Sequence, residues 1–582
     1  MNFPSYGRCF RVLLLFFPVT PCLSAQCPAN PPQYLCSATL VTGSATSPIT
    51  QVVGITGNNP VAPPADVNSI ITDTSFSTAG VRILRVTAPG FDNRSSTATN
   101  DSYEVSGDLH YMNSSVDDST FIIGDDHGVS YVMSLNTATF QSSMIPCSFS
   151  ATSGNLAQIG NCHAITSNGT GQKYLILNAG SSPVSNIYVG SHPYSHTRAN
   201  ALYTFENSDS NGVSVYEINI APTLANQMNP PTLLNGGNPI VNPWNAPCFP
   251  AGTSKSLTAE SLKLDLNDTN IAGNMGTSSL STNYVFVYNT STISCFTLGG
   301  SGLVYYTNGA SPTPLVFYGQ DGTTAWGASP TVQGAIHSID ISLDGHWIFW
   351  TQPSSWDNDG KHCNASCNFI WKIGTSTVVT ALRTDGHGNI GYATFDKFRV
   401  PSGNQAQIEN FPYASPSGAS EVVLAAAQFG SDLTHWPDMH SDSNTFTNAA
   451  SQYTCVVSFS SGSFNNSAPG GAETLSNPLE NEIFCYDQAG NVWRVAHDHT
   501  AGLSGQDFAG AEGYPSTSRS GKYVFFGSEW GGLLGDLNGN TCTAWANCRT
   551  DVFVVELDGS SAAVPTPPAP PAPPTNLRGT VR

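Results

Sequence analysis

The chain has 582 residues; only 10% are charged, and 40 acidic against 20 basic side chains leave a formal net charge of −20. So few lysines and arginines exclude recognition of nucleic acid through its phosphates, which needs clustered positive charge. The 40% hydrophobic content, with 28 Phe, 21 Tyr and 10 Trp, excludes a disordered chain, and the length suits one large closed all-β fold as well as several domains.

At the start of the chain, Arg8 and Arg11 flank and precede the apolar run Val12–Val19, and the small-residue stretch Cys22-Leu-Ser-Ala25 follows. That order reads as a secretory signal peptide over 1–25, too short for a membrane span. Soluble export is expected over a lipid anchor at Cys27, because Gln26 stands where a small residue is wanted. The expected location is therefore secreted, periplasmic or cell-surface. Export makes the twelve remaining cysteines an even set that falls into neighbouring pairs: Cys27 with Cys36, Cys147 with Cys162, Cys248 with Cys295, Cys363 with Cys367, Cys455 with Cys485, and Cys542 with Cys548. Disulfides closing local loops are expected. A zinc site at Cys363 and Cys367 beside His362 is the competing reading, but no second pair stands at a zinc-finger spacing.

Residues 26–44 read as an extended N-terminal segment, and 45–557 as one domain built from a repeated figure. The clearest copy opens with Ser518-Arg-Ser-Gly-Lys522, a turn in which Gly521 can take a positive φ. The strand Tyr523–Ser528, a polar loop and the strand Asp551–Glu556 follow. The figure recurs at Ser342–Trp350 with Asn368–Ile373, at Ser115–Gly124 with Gly128–Leu135, and at Ser261–Asn267 with Asn283–Tyr288. Polar turn, inner strand, loop and outer strand describe a β-propeller blade. Blades are expected at 101–140, 145–220, 255–318, 333–380 and 510–557, the second interrupted by an insertion at Ser191–Arg198. The region 381–500 holds strands at Glu421–Ala426, Tyr453–Ser458, Glu482–Tyr486 and Val492–Val495. Seven blades are the first expectation, with six or eight as the margin. Either Gln51–Thr56 or Val81–Thr87 should pair with the last blade and remove an open edge. No long segment has a 3.6-residue apolar period, and no later stretch could cross a membrane. Residues 558–574 form a Pro-rich linker, expected to be extended and disordered.

These turn-and-strand units resemble the repeats of TolB-like and WD-like bacterial propellers. Ser342-Leu-Asp-Gly345 fits the turn fully, Ser518–Lys522 has Ser in place of Asp, and the copies at 115 and 261 lack the Gly. The resemblance implies a fold and not an activity. A narrower pattern, Gly386-His387, His440 and His497-x-His499, resembles oligogalacturonate lyases, which are metal-binding propellers. It implies a divalent metal such as Mn or Ca on His387, His440, His497 and His499, neutralising a uronate carboxylate beside the proton to be removed. Thr575–Arg582 resembles the first strand of a fibronectin type III domain.

Loop-like sequence around Trp436, Trp530 and Trp545, with Arg494, offers stacking surfaces for sugar rings. Asp536–Asn540 and Asp357–Gly360 have calcium-loop spacing but read better as Asx-rich hairpin tips. No nucleophile elbow, metalloprotease helix or phosphate-binding glycine loop occurs. The expected function is a secreted, monomeric propeller scaffold binding an extracellular glycan or protein through its loops. The alternative is a metal-assisted polysaccharide (uronate) lyase or hydrolase using the histidines.

Overall fold

A computed structural model describes the strands and tight turns between residues 35 and 557. Intervals of ten or more residues outside the description are 1–34, 41–61, 89–102, 150–160, 178–192, 236–261, 319–337, 501–514 and 558–582. The expected signal peptide, the Gln51–Thr56 strand, the Pro-rich linker and the fibronectin-like end all lie there. The fold is an all-β propeller. Helix among the described residues is confined to short turns such as Ala221–Ala225.

Described strands group into seven sheets that follow the chain. The first spans Tyr103–Glu104 to Lys173–Leu177, and the second has three strands, Ala201–Ser208, Gly212–Asn219 and Thr232–Leu233. The third runs from Lys263–Leu264 to Thr313–Pro314, and the fourth from Ser338–Ile341 to Thr377–Leu382, with Val316–Tyr318 added in parallel at its edge. The expected irregular region 381–500 resolves into two sheets, Asn389–Ile390 to Ser420–Gln428 and Asp438–Ser443 to Val492–His497. The closing sheet combines both ends of the domain in the order Ile70–Asp73, Val81–Arg85, Asp551–Glu556, Tyr523–Ser528, Ser516–Thr517. Six sheets have four or more strands and the second is reduced.

Why the strands read as unbroken apolar runs follows from their period of two. Tyr523 and Phe525 enter a core shared with Phe121 and Ile123 of the first sheet, while Val524 and Phe526 enter one shared with Val457 and Ile483 of the sixth. Each face of the strand thus meets a different neighbour, so neither can be polar. The same division places Ile123 against the closing sheet and Ile122 against Leu202 of the second. Sheets three and four share the core of Val285, Val287, Ile339 and Trp350.

Of the two closure candidates, Val81–Arg85 pairs antiparallel with Asp551–Glu556. Charge fixes this seam at both ends. Asp551 accepts from Arg85 Nε at 2.9 Å, Thr87 Oγ1 at 2.9 Å and Arg549 Nε at 3.1 Å, and Glu556 accepts from Arg82 Nε at 2.6 Å. Burial of these ions is tolerable because each is paired and hydrogen-bonded. Thr39–Leu40, ahead of the expected boundary at 45, also pair with Trp493 and Arg494 at the edge of the sixth sheet.

Three expectations need correction. The first sheet extends to Leu177, well past residue 140, since Lys173–Leu177 pairs with its Ser130–Asn136 strand. The described part of Ser191–Arg198, from residue 193, is no insertion: Tyr194 bridges Leu202, and Ser195 N–H bonds Ala201 O, so residues 194–201 are the second sheet's own entry and turn. In the third sheet the turn is Asp265-Leu-Asn-Asp268, four residues beyond Ser261, with Asp265 taking the role of serine.

Four turns share one geometry. The fourth residue donates its N–H to the first residue's carbonyl (Asp118 to Ser115, Asp268 to Asp265, Gly345 to Ser342, Gly521 to Ser518), and the first residue's N–H bonds the carbonyl five positions on. That fourth position has φ of 57°, 54°, 75° and 76° respectively. Asp is among the few residues besides Gly that tolerate the left-handed region, which is why copies without glycine still fold as turns.

Cys147–Cys162, Cys455–Cys485 and Cys542–Cys548 form as expected, and Cys295 is disulfide-bonded. Cys27, Cys36, Cys248 and Cys363, and the side chain of Cys367, lie outside the described residues.

At Gly345 a Cβ would lie 2.4 Å from Asp265 Oδ2, in addition to its positive φ. Gly345→Ala is expected to destabilise the propeller by about 1–3 kcal/mol. A urea midpoint equal to wild type would contradict this packing.

Candidate functional site

The inner turns of neighbouring sheets meet on one end of the propeller. Asp118 of the first sheet accepts from Ser518 Oγ at 3.2 Å, Ser520 N at 3.2 Å and Ser520 Oγ in the closing sheet. Asp268 of the third accepts from Ser195 Oγ at 2.6 Å, His196 N at 2.9 Å and Thr197 N at 3.2 Å in the second. Arg519 reaches from the closing sheet to His196 in the second, to Nδ1 at 2.9 Å and the carbonyl at 3.1 Å. Burial pushes His196 down to about 3, aided by the Arg519 charge, and burial also lowers Arg519, to about 10.

Between the third and fourth sheets this face opens into a cleft of about 410 Å³, lined by Asp265, Asn267, Phe296, Asp344, His346 and Lys372 among others. Its floor is held by its own hydrogen bonds. Asp265 accepts from Thr269 N at 2.7 Å and Asn270 Nδ2 at 3.0 Å, and Asn270 also donates to Gly345 O at 3.0 Å. At the rim, Asp344 Oδ2 lies 3.3 Å from Nδ1 of His346, a side chain 69% exposed. Phe296 contributes an aromatic ring, and Lys372 Nζ lies 5.6 Å from the Trp347 ring. Such a size, one aromatic wall and a few fixed polar groups fit a small ligand.

The expected metal ligands are placed differently. His497 and His499 have ring centroids 5.7 Å apart and are 0% and 2% exposed, packed between Phe76 and Trp530. Asp73 Oδ2 accepts from His497 N at 2.8 Å and lies 3.5 Å from its Nδ1. Burial raises the Asp73 carboxyl, but the hydrogen bond and charge of His497 outweigh it and hold the group below its ordinary range. Burial pushes His499 down to about 3, with His497 adding to the effect. His440 stands on the first strand of the same sheet and His497 on the fourth, three strand spacings or about 14 Å apart. His387 lies outside the described residues. Among the described residues, no group of three His, Cys, Asp or Glu side chains could hold a metal ion.

Trp530 is fully buried, with its ring 4.3 Å from His499 and 4.8 Å from Phe553. Arg494 is buried as well, paired with Glu482 and lying over the Phe76 ring. Trp436 and Trp545 lie outside the described residues. Asp536 gives both carboxylate oxygens to Asn540, the hairpin-tip arrangement. Sequence reasoning passed over the cleft because Asp265, Asp344 and Gly345 read as turn residues. Their spacing along each turn was visible, but which turns would face one another was not.

No family model matches the chain, and no curated protein matches it. Among solved structures, TolB from Acinetobacter baumannii is similar over 74% of this chain and 76% of its own, at 10% identity and a TM-score of 0.29. A putative TolB from Agrobacterium tumefaciens is similar over 68% and 88%, at 11% and 0.24. The Dos1 propeller is similar over 77% and 68%, at 10% and 0.22. At these scores the propeller assignment rests on the chain's own sheet topology. No helix among the described residues is long and apolar enough to cross a membrane.

Two buried groups set opposite pH trends. His196 drops from 6.5 to about 3, so only the unfolded chain takes its proton between those values, and its contribution is lost as pH falls below 6.5. Burial raises Asp340 from 3.8 to about 7, against the Lys263 charge; its contribution is complete below 3.8 and is lost as pH rises toward 7. Asp340→Asn should therefore gain stability relative to wild type between pH 4 and 7, by an amount on the order of a few kcal/mol. Parallel urea midpoints for the two proteins across that range would contradict it.

Proposed function

We propose that this protein is an exported binding scaffold whose inner-turn face takes a glycan. The observation that carries this reading is the open cleft between the third and fourth sheets, with mixed apolar and polar lining, Phe296 on its wall and Asn267, Asp344 and His346 accessible at its rim. A sugar ring needs an apolar surface for one face and fixed donors and acceptors for its hydroxyls, and the cleft supplies both. Binding on a preorganised floor limits the ordering cost that weakens loop-based sites. Disulfides in the described residues support export to an oxidising compartment, either secreted or periplasmic. Trp436 and Trp545 are proposed as additional stacking surfaces, and the protein is proposed to act as a monomer.

A second reading, a metal-assisted polysaccharide lyase or hydrolase, draws support from His499. Its imidazole is held neutral, as a metal ligand must be, and its buried Nδ1 has no hydrogen-bond partner. His497 would share the ion only after giving up the charge it presents to Asp73, with a further ligand supplied by His387. Metal analysis of the purified protein beside His497→Ala tests it: equal, absent metal in both removes this reading.

The scaffold reading is tested by screening oligosaccharides against wild type, Asn267→Ala and Phe296→Ala, each checked for folding by its unfolding midpoint. Loss of the aromatic wall should weaken a bound glycan about five- to ten-fold, and Asn267→Ala should weaken it less. Glycan binding unaffected by either change would place the site elsewhere.

A further inference from the structure

Resting on the glycan-binding reading, we infer that the cleft between the third and fourth sheets selects a cationic amino sugar, a hexosamine whose amine is free and protonated. The ionisable groups that face the cleft are Asp265, Asp344, Lys372 and His346. Asp265 at the floor is buried, which raises its carboxyl, and the Thr269 N–H and the Asn270 amide are neutral donors that orient it and partly offset the burial. Asp344 likewise takes Ser342 Oγ and the His346 N–H on Oδ1, which leaves Oδ2 directed to the rim beside the imidazole. The Asp265 and Asp344 carboxyls thus stand against the Lys372 ammonium and the His346 imidazole, whose Nδ1 lies 3.3 Å from Asp344 Oδ2. That ammonium, Lys372, lies near the Trp347 ring, where the aromatic quadrupole holds it.

Among glycan classes these charges discriminate. An acidic sugar would bring a third negative charge to two carboxylates, and a neutral one would leave their field unused. A hexosamine could lay its ring on Phe296 and direct its ammonium to Asp344 Oδ2. The whole chain works in the same direction, because a net charge of −20 raises the encounter rate of a cationic oligosaccharide at low ionic strength. Asp344 is partly exposed, with 21% of its side chain accessible, so the discrimination belongs to the range of an exposed ion pair: about two- to five-fold in affinity, weakening with salt.

The test compares glucosamine oligosaccharides with their N-acetylated counterparts, which share the backbone and lack the charge. Calorimetric titration of the full chain at low and physiological salt, with wild type and the near-isosteric Asp344→Asn, reads both. The inference predicts binding about two- to five-fold tighter for the free amines at low salt, a difference that shrinks with salt and is lost in Asp344→Asn. Equal binding of the two series overturns it while leaving the glycan reading intact. A preference that persists unchanged in Asp344→Asn also overturns it, because that is attraction to the acidic surface at large. Failure of both series to bind removes this inference and leaves the scaffold reading to the wider oligosaccharide screen.

Discussion

A positive-φ residue at the fourth position of four inner turns is the constraint on which this propeller depends. The turn has to reverse the chain within a few residues, so that the inner strand and its successor can pair. Where the residue is glycine, at Gly345 and Gly521, the neighbouring turn can approach closely: Asp265 Oδ2 packs against Gly345 where a side chain would sit. Where it is aspartate, at Asp118 and Asp268, the side chain that the conformation turns outward becomes a connector to the preceding sheet's turn. One backbone requirement is therefore met by two residue types with different consequences. Glycine makes room, and aspartate makes a bond.

The connections matter because a propeller blade cannot bury its faces alone. Each strand supplies two cores, and a shift of one sheet against the next would misplace both sets of side chains. Apolar packing drives the sheets together but is tolerant of sliding, whereas a carboxylate accepting from several donors on the neighbouring turn fixes position. Buried Asp118 shows the balance involved: burial raises its carboxyl, and the hydrogen bonds from Ser520 and Ser518 partly offset that. At the other end of the closing sheet's strands, the Arg85, Asp551 and Arg549 group fixes the seam where the chain closes on itself. The cleft exists where two such turns meet with glycine on one side, so the site proposed for a ligand is a by-product of how the blades are registered.

Much of this architecture could be read from residue order. Aromatic and β-branched runs such as Tyr523–Phe526 announce strands buried on both faces, and Ser342-Leu-Asp-Gly345 announces a turn. Val81–Thr87 could be named as one of two candidate closing strands because a propeller without one has an open edge. The errors arose where a side chain substitutes for the expected one. Asp265 standing for serine shifted the third turn, and Ser195–Asn200, with neither the Gly nor the Asp-Gly signal, looked like an insertion. The candidate site was less legible, for a geometric reason. His497 and His499 are two residues apart and meet, as spacing suggests, but His440 is three strands away across the sheet. Asp344 and Asp265, 79 positions apart in sequence, line one cleft, and nothing local to either one signals it.

A double-mutant cycle on Asp118 and Ser520 addresses the central claim most directly, since these residues belong to different sheets and touch only through the inter-turn bond. Unfolding midpoints would be measured for Asp118→Ala, Ser520→Ala and the double variant at constant pH and salt. If the turns fix the register of the sheets, the double variant loses less stability than the sum of the singles, with a coupling of about 0.5–3 kcal/mol. Strict additivity, within about 0.3 kcal/mol, would mean the two turns lie side by side without holding one another, and would contradict this account of the fold.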